Sequence, residues 1–228
     1  MRRLSIAGIV AVLALVSLQL SAHASTNARD AAIVKAGLLT VNDLPPGWAE
    51  SPSSSSGDTN LSGYGKACNA LQRKEDAAKK LRTAYGRSPD FKQGSADQIS
   101  NTVSVYRSTA STKVALAVMT NPVLPSCFQK SFQDGISQQA TNGATFTTAI
   151  GRLSVPKLGD DAVGYEIAIT ANVNGSTFRH YIDLQLVQVG RTGLSFSFQG
   201  DRRSTVLANQ SLVQTVVARV QAAEAATT

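Results

Sequence analysis

The sequence predicts an α+β fold: a curved antiparallel sheet, a meander of about five strands, with helices packed mainly on one face and a C-terminal helix closing it. Three observations carry this expectation. Several stretches alternate apolar and polar residues with period two, as half-buried strands do. Asn174-Gly175 lies between two of them, the pair that a tight hairpin turn with positive φ at both positions prefers. The last periodic stretch, Val206 to Ala222, changes to helical spacing, with Leu212, Val216, Val217 and Val220 available to cover a sheet face.

From the beginning of the chain, Arg2 and Arg3 precede an uninterrupted apolar run from Ile6 to Val16, and Ala22-His23-Ala24 follows. A positive flank, a short apolar core and small residues around a cleavage point together read as a secretory signal peptide over residues 1–24. The apolar run is about half the length of a membrane span, so the expectation is a cleaved leader and no membrane-spanning segment thereafter. Residues 25–228 then form a single exported domain, secreted or held in the cell envelope.

Asn27 to Gly37 suits a short helix stopped by glycine. Asp43-Leu44-Pro45-Pro46-Gly47-Trp48 forbids regular structure and presents Trp48 from a rigid turn. The Ser-rich stretch 51–57 reads as a flexible loop. Leu71, Ala78, Leu81 and Tyr85 recur at helical spacing and predict a helix over Ala67 to Ala84. Ile99, Val103 and Val105 alternate with Ser100, Thr102 and Ser104, a strand. A helix opens at Ser111 and is ended by Pro122 and Pro125, and helix resumes over Phe128 to Gln139. Phe146, Thr148 and Ile150, then Tyr165, Ile167 and Ile169, then Phe178 to Leu186, then Leu194, Phe196 and Phe198 supply the meander.

The charge is uneven. The chain carries 22 Lys+Arg against 15 Asp+Glu. Residues 66–92 hold eight of the cations and three acids, Glu75, Asp76 and Asp90. Such a field favours anionic partners, and Arg73, Lys74, Lys79, Lys80 and Arg82 form the patch that would meet an anionic envelope component. The same residues equally make a solvated helix face. The basic helix within it lacks interleaved aromatics and the chain is read as exported, so no nucleic-acid partner is expected.

Cys68 and Cys127 are the only cysteines. An even count in an exported chain points to a disulfide. Closing a loop of that length stabilises by on the order of 4 kcal/mol through chain entropy. A nucleophilic or redox thiol would need a histidine partner or a C-x-x-C pair, and the sequence offers neither arrangement.

Little else carries chemistry. Beyond the leader, His180 is the one histidine, and it falls among Phe178, Ile182 and Leu184 on an apolar face. No zinc motif, nucleophile elbow, phosphate loop or dinucleotide fingerprint is present, so no cofactor, no metal and no enzymatic activity are expected. Asp160, Asp161 and Glu166 are acids near one hairpin and leave an unconventional hydrolase as an alternative. Gly159-Asp160-Asp161-Ala162 reads as well as a turn between strands. On the face opposite Phe178, Ile182 and Leu184 the period-two pattern gathers Arg179, Tyr181, Asp183 and, from the preceding strand, Glu166. That set mixes an aromatic with charges of both signs on a face expected to be free of helices, and it is the candidate ligand-binding surface.

Leu38-Leu39 followed by Asp43-Leu44-Pro45-Pro46-Gly47-Trp48, Cys68 opening a helix, Leu124-Pro125-Ser126-Cys127, the Gly159-Asp160-Asp161-Ala162 turn and a hairpin with a C-terminal helix come in an order that resembles the PknH-like extracellular sensor domains of actinobacterial exported proteins. The resemblance implies a non-enzymatic domain with a cleft for an unidentified small ligand. This chain departs from the family in having one cysteine pair where two are usual, and in lacking a lipobox cysteine and a kinase. The functional expectation is a secreted, sensor-like ligand-binding module of the cell envelope. The alternative is an accessory protein that holds anionic polymer or lipid through residues 66–92.

Overall fold

The computed structural model describes residues 28–52, 60–137, 144–203 and 206–226. The leader 1–24 and residues 53–57 of the Ser-rich loop lie outside these; Ser51 itself closes a strand.

The elements in order are α1 (Ala28–Gly37), β1 (Ala49–Ser51), α2 (Lys66–Lys79), β2 (Arg82–Arg87), β3 (Asp90–Gln93), β4 (Asp97–Tyr106), α3 (Thr109–Met119), α4 (Leu124–Ser137), β5 (Thr145–Leu153), β6 (Asp161–Val173), β7 (Ser176–Val189), β8 (Thr192–Gly200) and α5 (Val206–Ala225). A 3-10 turn, Val41–Asp43, sits between α1 and β1. The strands form one antiparallel sheet of eight in the order β1-β3-β4-β8-β7-β6-β5, with β2 paired to β4 beside β3. The expected α+β class with a meander and a closing helix is what the chain adopts. The strand count is eight rather than about five, because β1, β2 and β3 are too short for alternation to reveal.

The hairpin between β6 and β7 turns at Asn174 and Gly175, whose φ angles of 49° and 80° are those of the turn the dipeptide prefers. From it, thirteen residues of β6 pair in register with β7, placing Glu166 opposite Asp183 and Ile167 opposite Ile182.

Helices cover both faces, two against three, rather than mainly one. On the first face, α1 and α5 pack Ile33, Val34, Val213, Val216, Val217 and Val220 onto Val103, Leu194, Phe196 and Phe198 of the sheet. On the second face, α2, α3 and α4 pack Leu71, Val118, Leu124 and Phe128 onto Val163 and Tyr165. The reason lies in the strands: Val163, Tyr165, Leu184 and Leu186 are apolar toward one side, while Val187, Val189 and Leu194 are apolar toward the other. Neither face can be left to water without exposing a hydrophobic row.

Two boundaries move. The helix expected over Ala67 to Ala84 ends at Lys79, and Arg82–Arg87 is strand instead, its Thr83 and Tyr85 being better suited to a pleated surface. Gly86 of that strand touches α1 so closely that an added Cβ would lie 2.4 Å from Val34 Cγ1. Pro125, expected to break a helix, stands in the first turn of α4, where a missing N–H costs nothing. Ser108 caps α3 by accepting from the Ser111 N–H at 3.2 Å.

Long-range polar contacts fasten α1 and α5. Asn101, buried on β4, accepts from the Leu39 N–H at 2.9 Å and donates to the Gly37 carbonyl at 2.7 Å. Arg191 pairs with Asp30, Arg219 with Asp43, and Thr192 donates to Glu224. Burial works to raise the Asp30 carboxyl, but hydrogen bonds from Arg191 and Thr83 outweigh it and hold the group below the ordinary carboxylate range.

Candidate functional site

The second face holds a cleft. Along β4 and β8 the side chains that point there are Thr102, Ser104, Gly193 and Ser195, all small. They leave the sheet surface low, so α3 stands off it and a cavity of about 240 Å³ remains between them. Apolar walls come from Leu116, Met119, Leu124, Phe128, Leu184 and Leu186, and the polar rim comes from Lys79, Arg82, Tyr85 and Tyr106. The polar alternation of β4 and β8, which in sequence resembles a water-facing surface, instead floors this cleft.

The rim is ordered by its own contacts. Lys79 Nζ lies 3.0 Å from Glu75 on the preceding turn of α2. The Arg82 guanidinium stands 4.9 Å from the centre of the Tyr85 ring, and its Nε donates to the Lys79 carbonyl at 3.4 Å. Burial pushes the Tyr106 hydroxyl up, against the opposing charge of Arg82, so it remains a donor at neutral pH. Of the basic patch expected from sequence, Lys79 and Arg82 thus border the cleft, while Arg73, Lys74 and Lys80 are exposed on or just beyond α2.

Cys68 and Cys127 are joined, S–S 2.05 Å, with both cysteines buried. The bond ties α2 to α4 and so fixes two of the three helices of this face. Tyr165 donates its hydroxyl to the Met119 carbonyl at the end of α3 at 2.5 Å, anchoring the third to β6.

The sheet-face set expected to bind a ligand is brought together only in part. Glu166 and Asp183 are cross-strand partners, and Arg179 and Tyr181 follow along the same side of β7 opposite Thr170 and Ala168. Arg179 is exposed and Tyr181 half-buried, whereas Glu166 and Asp183 are buried. Arg203, a residue the sequence reading did not single out, clamps Glu166 with two hydrogen bonds of 2.6 Å. The face is not free of helices, since α5 covers its β4–β8 end. None of these four side chains lines the cleft, or the hollow bordered by Glu50, Arg87, Ser88 and Pro89.

Burial, and then the neighbouring Glu166 charge, push the Asp183 carboxyl up to about 6, with Arg203 opposing. Both Asp183 oxygens and the Gln185 amide nitrogen are buried without a hydrogen-bond partner among the described residues. The remaining acids serve structure. Asp160 accepts from the Gly190 N–H at 2.7 Å and Asp161 from the Ala162 N–H at 2.8 Å, as turn aspartates do. Gly159 has φ +62°, and a Cβ there would fall 2.2 Å from the Gln188 carbonyl oxygen. His180 sits half-buried with Nδ1 3.7 Å from Asp201. Among the described residues, no group of three or more His, Cys, Asp or Glu is placed to hold a metal ion, and no helix is long and apolar enough to cross a membrane.

No protein-family model matches the chain. No curated protein matches it either. Among solved structures, the extracellular domain of PknH from Mycobacterium tuberculosis is similar over 83% of this chain and 93% of its own, at 12% sequence identity and a TM-score of 0.41.

Proposed function

We propose that the protein is a non-catalytic, exported binding module that takes a small ligand into the cleft between α3 and the sheet. The observation that supports this reading is the strip of small residues, Thr102, Ser104, Gly193 and Ser195, which keeps about 240 Å³ open beneath a helix whose partner helices are cross-linked. A close-packed domain fills such space with side chains. A concave, mostly apolar site with a few oriented polar groups is the usual form of a small-molecule pocket. The rim groups are a stacked guanidinium, an ion-paired lysine and a protonated tyrosine, which hold and orient rather than transfer protons. The sensor-like role and the envelope location belong to the same proposal, supported by the leader-like residues 1–24 and by a disulfide of the kind that persists in oxidising compartments.

The test is binding of Nile red, a neutral dye that brightens in apolar sites, to the folded protein at pH 7. The expected result is saturable binding that Phe at Ala115, an α3 residue lining the cleft, or at Ser195 (Ala115→Phe, Ser195→Phe) abolishes while circular dichroism stays native. Saturable binding unchanged in both variants would place the dye elsewhere and remove the support for the cleft.

A second reading keeps Arg73, Lys74 and Lys80 as an exposed cationic surface for anionic envelope polymer. It predicts retention on an anionic polymer matrix that falls steeply between 50 and 300 mM salt. Retention indifferent to salt, or to replacing the three by Gln, would sink it.

A further inference from the structure

We infer that the ligand of the cleft is a single-chain aliphatic acid of medium length, its tail against the apolar wall and its anionic head at Arg82; this rests on the cleft being the binding site.

Three features of the cleft converge on that chemistry. The first is the wall. Leu116, Met119, Leu184 and Leu186 present aliphatic side chains from α3 and β7, with the sheet floor kept low by Ser104 and Ser195. An aliphatic chain is the partner that such a surface gains most from covering, at roughly 25 cal/mol per Å² of apolar area.

The second is the charge at the mouth. Glu75, Lys79 and Arg82 all line the cleft, which leaves it one positive charge in excess. Lys79 is satisfied by Glu75 at 3.0 Å. Arg82 has no carboxylate partner among the described residues; it is held by the Tyr85 ring and a backbone carbonyl, contacts that orient a guanidinium without neutralising it. A guanidinium so held keeps donors for a carboxylate. The surrounding segment 66–92, with eight cations and three acids, adds a field of the same sign. A cationic or neutral head group would forgo this attraction.

The third is size. At about 240 Å³ the cleft falls below the ~300–1,000 Å³ of pockets that hold drug-sized ligands. It suits one chain of medium length rather than a two-chain lipid.

The experiment is calorimetric titration of the oxidised protein at pH 7 and low salt with octanoate, 1-octanol and octylammonium, which share a tail and differ in head charge. Octanoate is expected to bind at least tenfold more tightly than octylammonium, with octanol between them. Hexanoate, two methylenes shorter, should bind about fifteenfold more weakly than octanoate, each buried methylene being worth about a fourfold change. Arg82→Gln should weaken octanoate about tenfold and bring its affinity down toward that of octanol. Lys80→Gln, at an exposed cation outside the cleft, should leave octanoate binding unchanged. Equal binding of octanoate and octylammonium, or equal effects of the two substitutions, would overturn the assignment of the acid while Nile red binding still upheld the cleft. Failure of the native protein to bind Nile red would instead overturn the cleft itself.

Discussion

Glu166 and Asp183 face each other across β6 and β7, yet among the described residues only Glu166 has a counter-ion, the Arg203 guanidinium that holds it by two 2.6 Å hydrogen bonds. Asp183 is 4% exposed and both its oxygens lack a partner among the described residues. One cation therefore serves two buried carboxylates. The second of them is ionised against desolvation and against its neighbour.

The consequence for stability follows from the sign of the shift. The folded-state pKa of Asp183, about 6, lies above the 3.8 of an ordinary aspartate, so the folded protein holds the proton more tightly. That contribution is fully present below about pH 4 and is lost as pH rises through 6. Asp183→Asn should stabilise the protein at pH 7 by about 1–3 kcal/mol, and should flatten this part of the pH dependence between 4 and 6.5. Urea unfolding at half-unit pH steps reads both effects; a variant less stable than the native protein at pH 7 would contradict the account.

Arg203→Gln removes the cation that opposes the Asp183 shift. The Asp183 midpoint should then move above its native value, because its burial and the Glu166 charge remain. Carboxyl-carbon NMR titration follows the group directly, and a midpoint that falls or stays put argues against the shared cation.

Reduction of the Cys68–Cys127 bond, or Ser at both positions, should cost on the order of 4 kcal/mol, since it releases a loop with a sequence separation of 59. The intact protein should show a two-proton mass deficit before reduction. Two alkylatable thiols in denatured, unreduced protein would refute the pairing.

Asn101→Ala should cost about 2–3 kcal/mol, because the Leu39 N–H and the Gly37 carbonyl both lose a buried partner. Hydrogen exchange should accelerate first across α1 and the residues following it. Uniform acceleration through the sheet would show that Asn101 does not act locally.

Much of this architecture is legible in the sequence where the determinant is local. The alternation of Tyr165, Ile167 and Ile169 fixes which side of β6 each residue takes, and Asn174-Gly175 fixes the register that follows. That same periodicity puts Glu166, Asp183, Tyr181 and Arg179 on one side, as the structure has them. Two things escape it. Leu81 and Tyr85 continue the helical spacing of α2, and only pairing with Val105 and Ser104 of distant β4 draws the segment around them into strand. Arg203 lies 37 positions from Glu166 in a stretch without periodicity, so no pattern connects them. The cleft is hidden for a related reason: Ser104 and Ser195 look solvent-facing until α3 is known to pass over them.

The packing of α1 against α5 bears on how the chain reaches its native state. The ion pairs that fasten them join residues 161 and 176 positions apart, Asp30 to Arg191 and Asp43 to Arg219. Val216, Val217 and Val220 complete the core that Ile33 and Val34 begin. The hydrophobic interior on that face thus closes only when both ends of the domain are present. Contacts of such sequence separation are slow to form, so this face is expected to consolidate after the second, whose core is drawn from residues 61 to 186. A chain that lacks its final helix therefore leaves Ile33, Val34 and Leu194 without the valines that cover them.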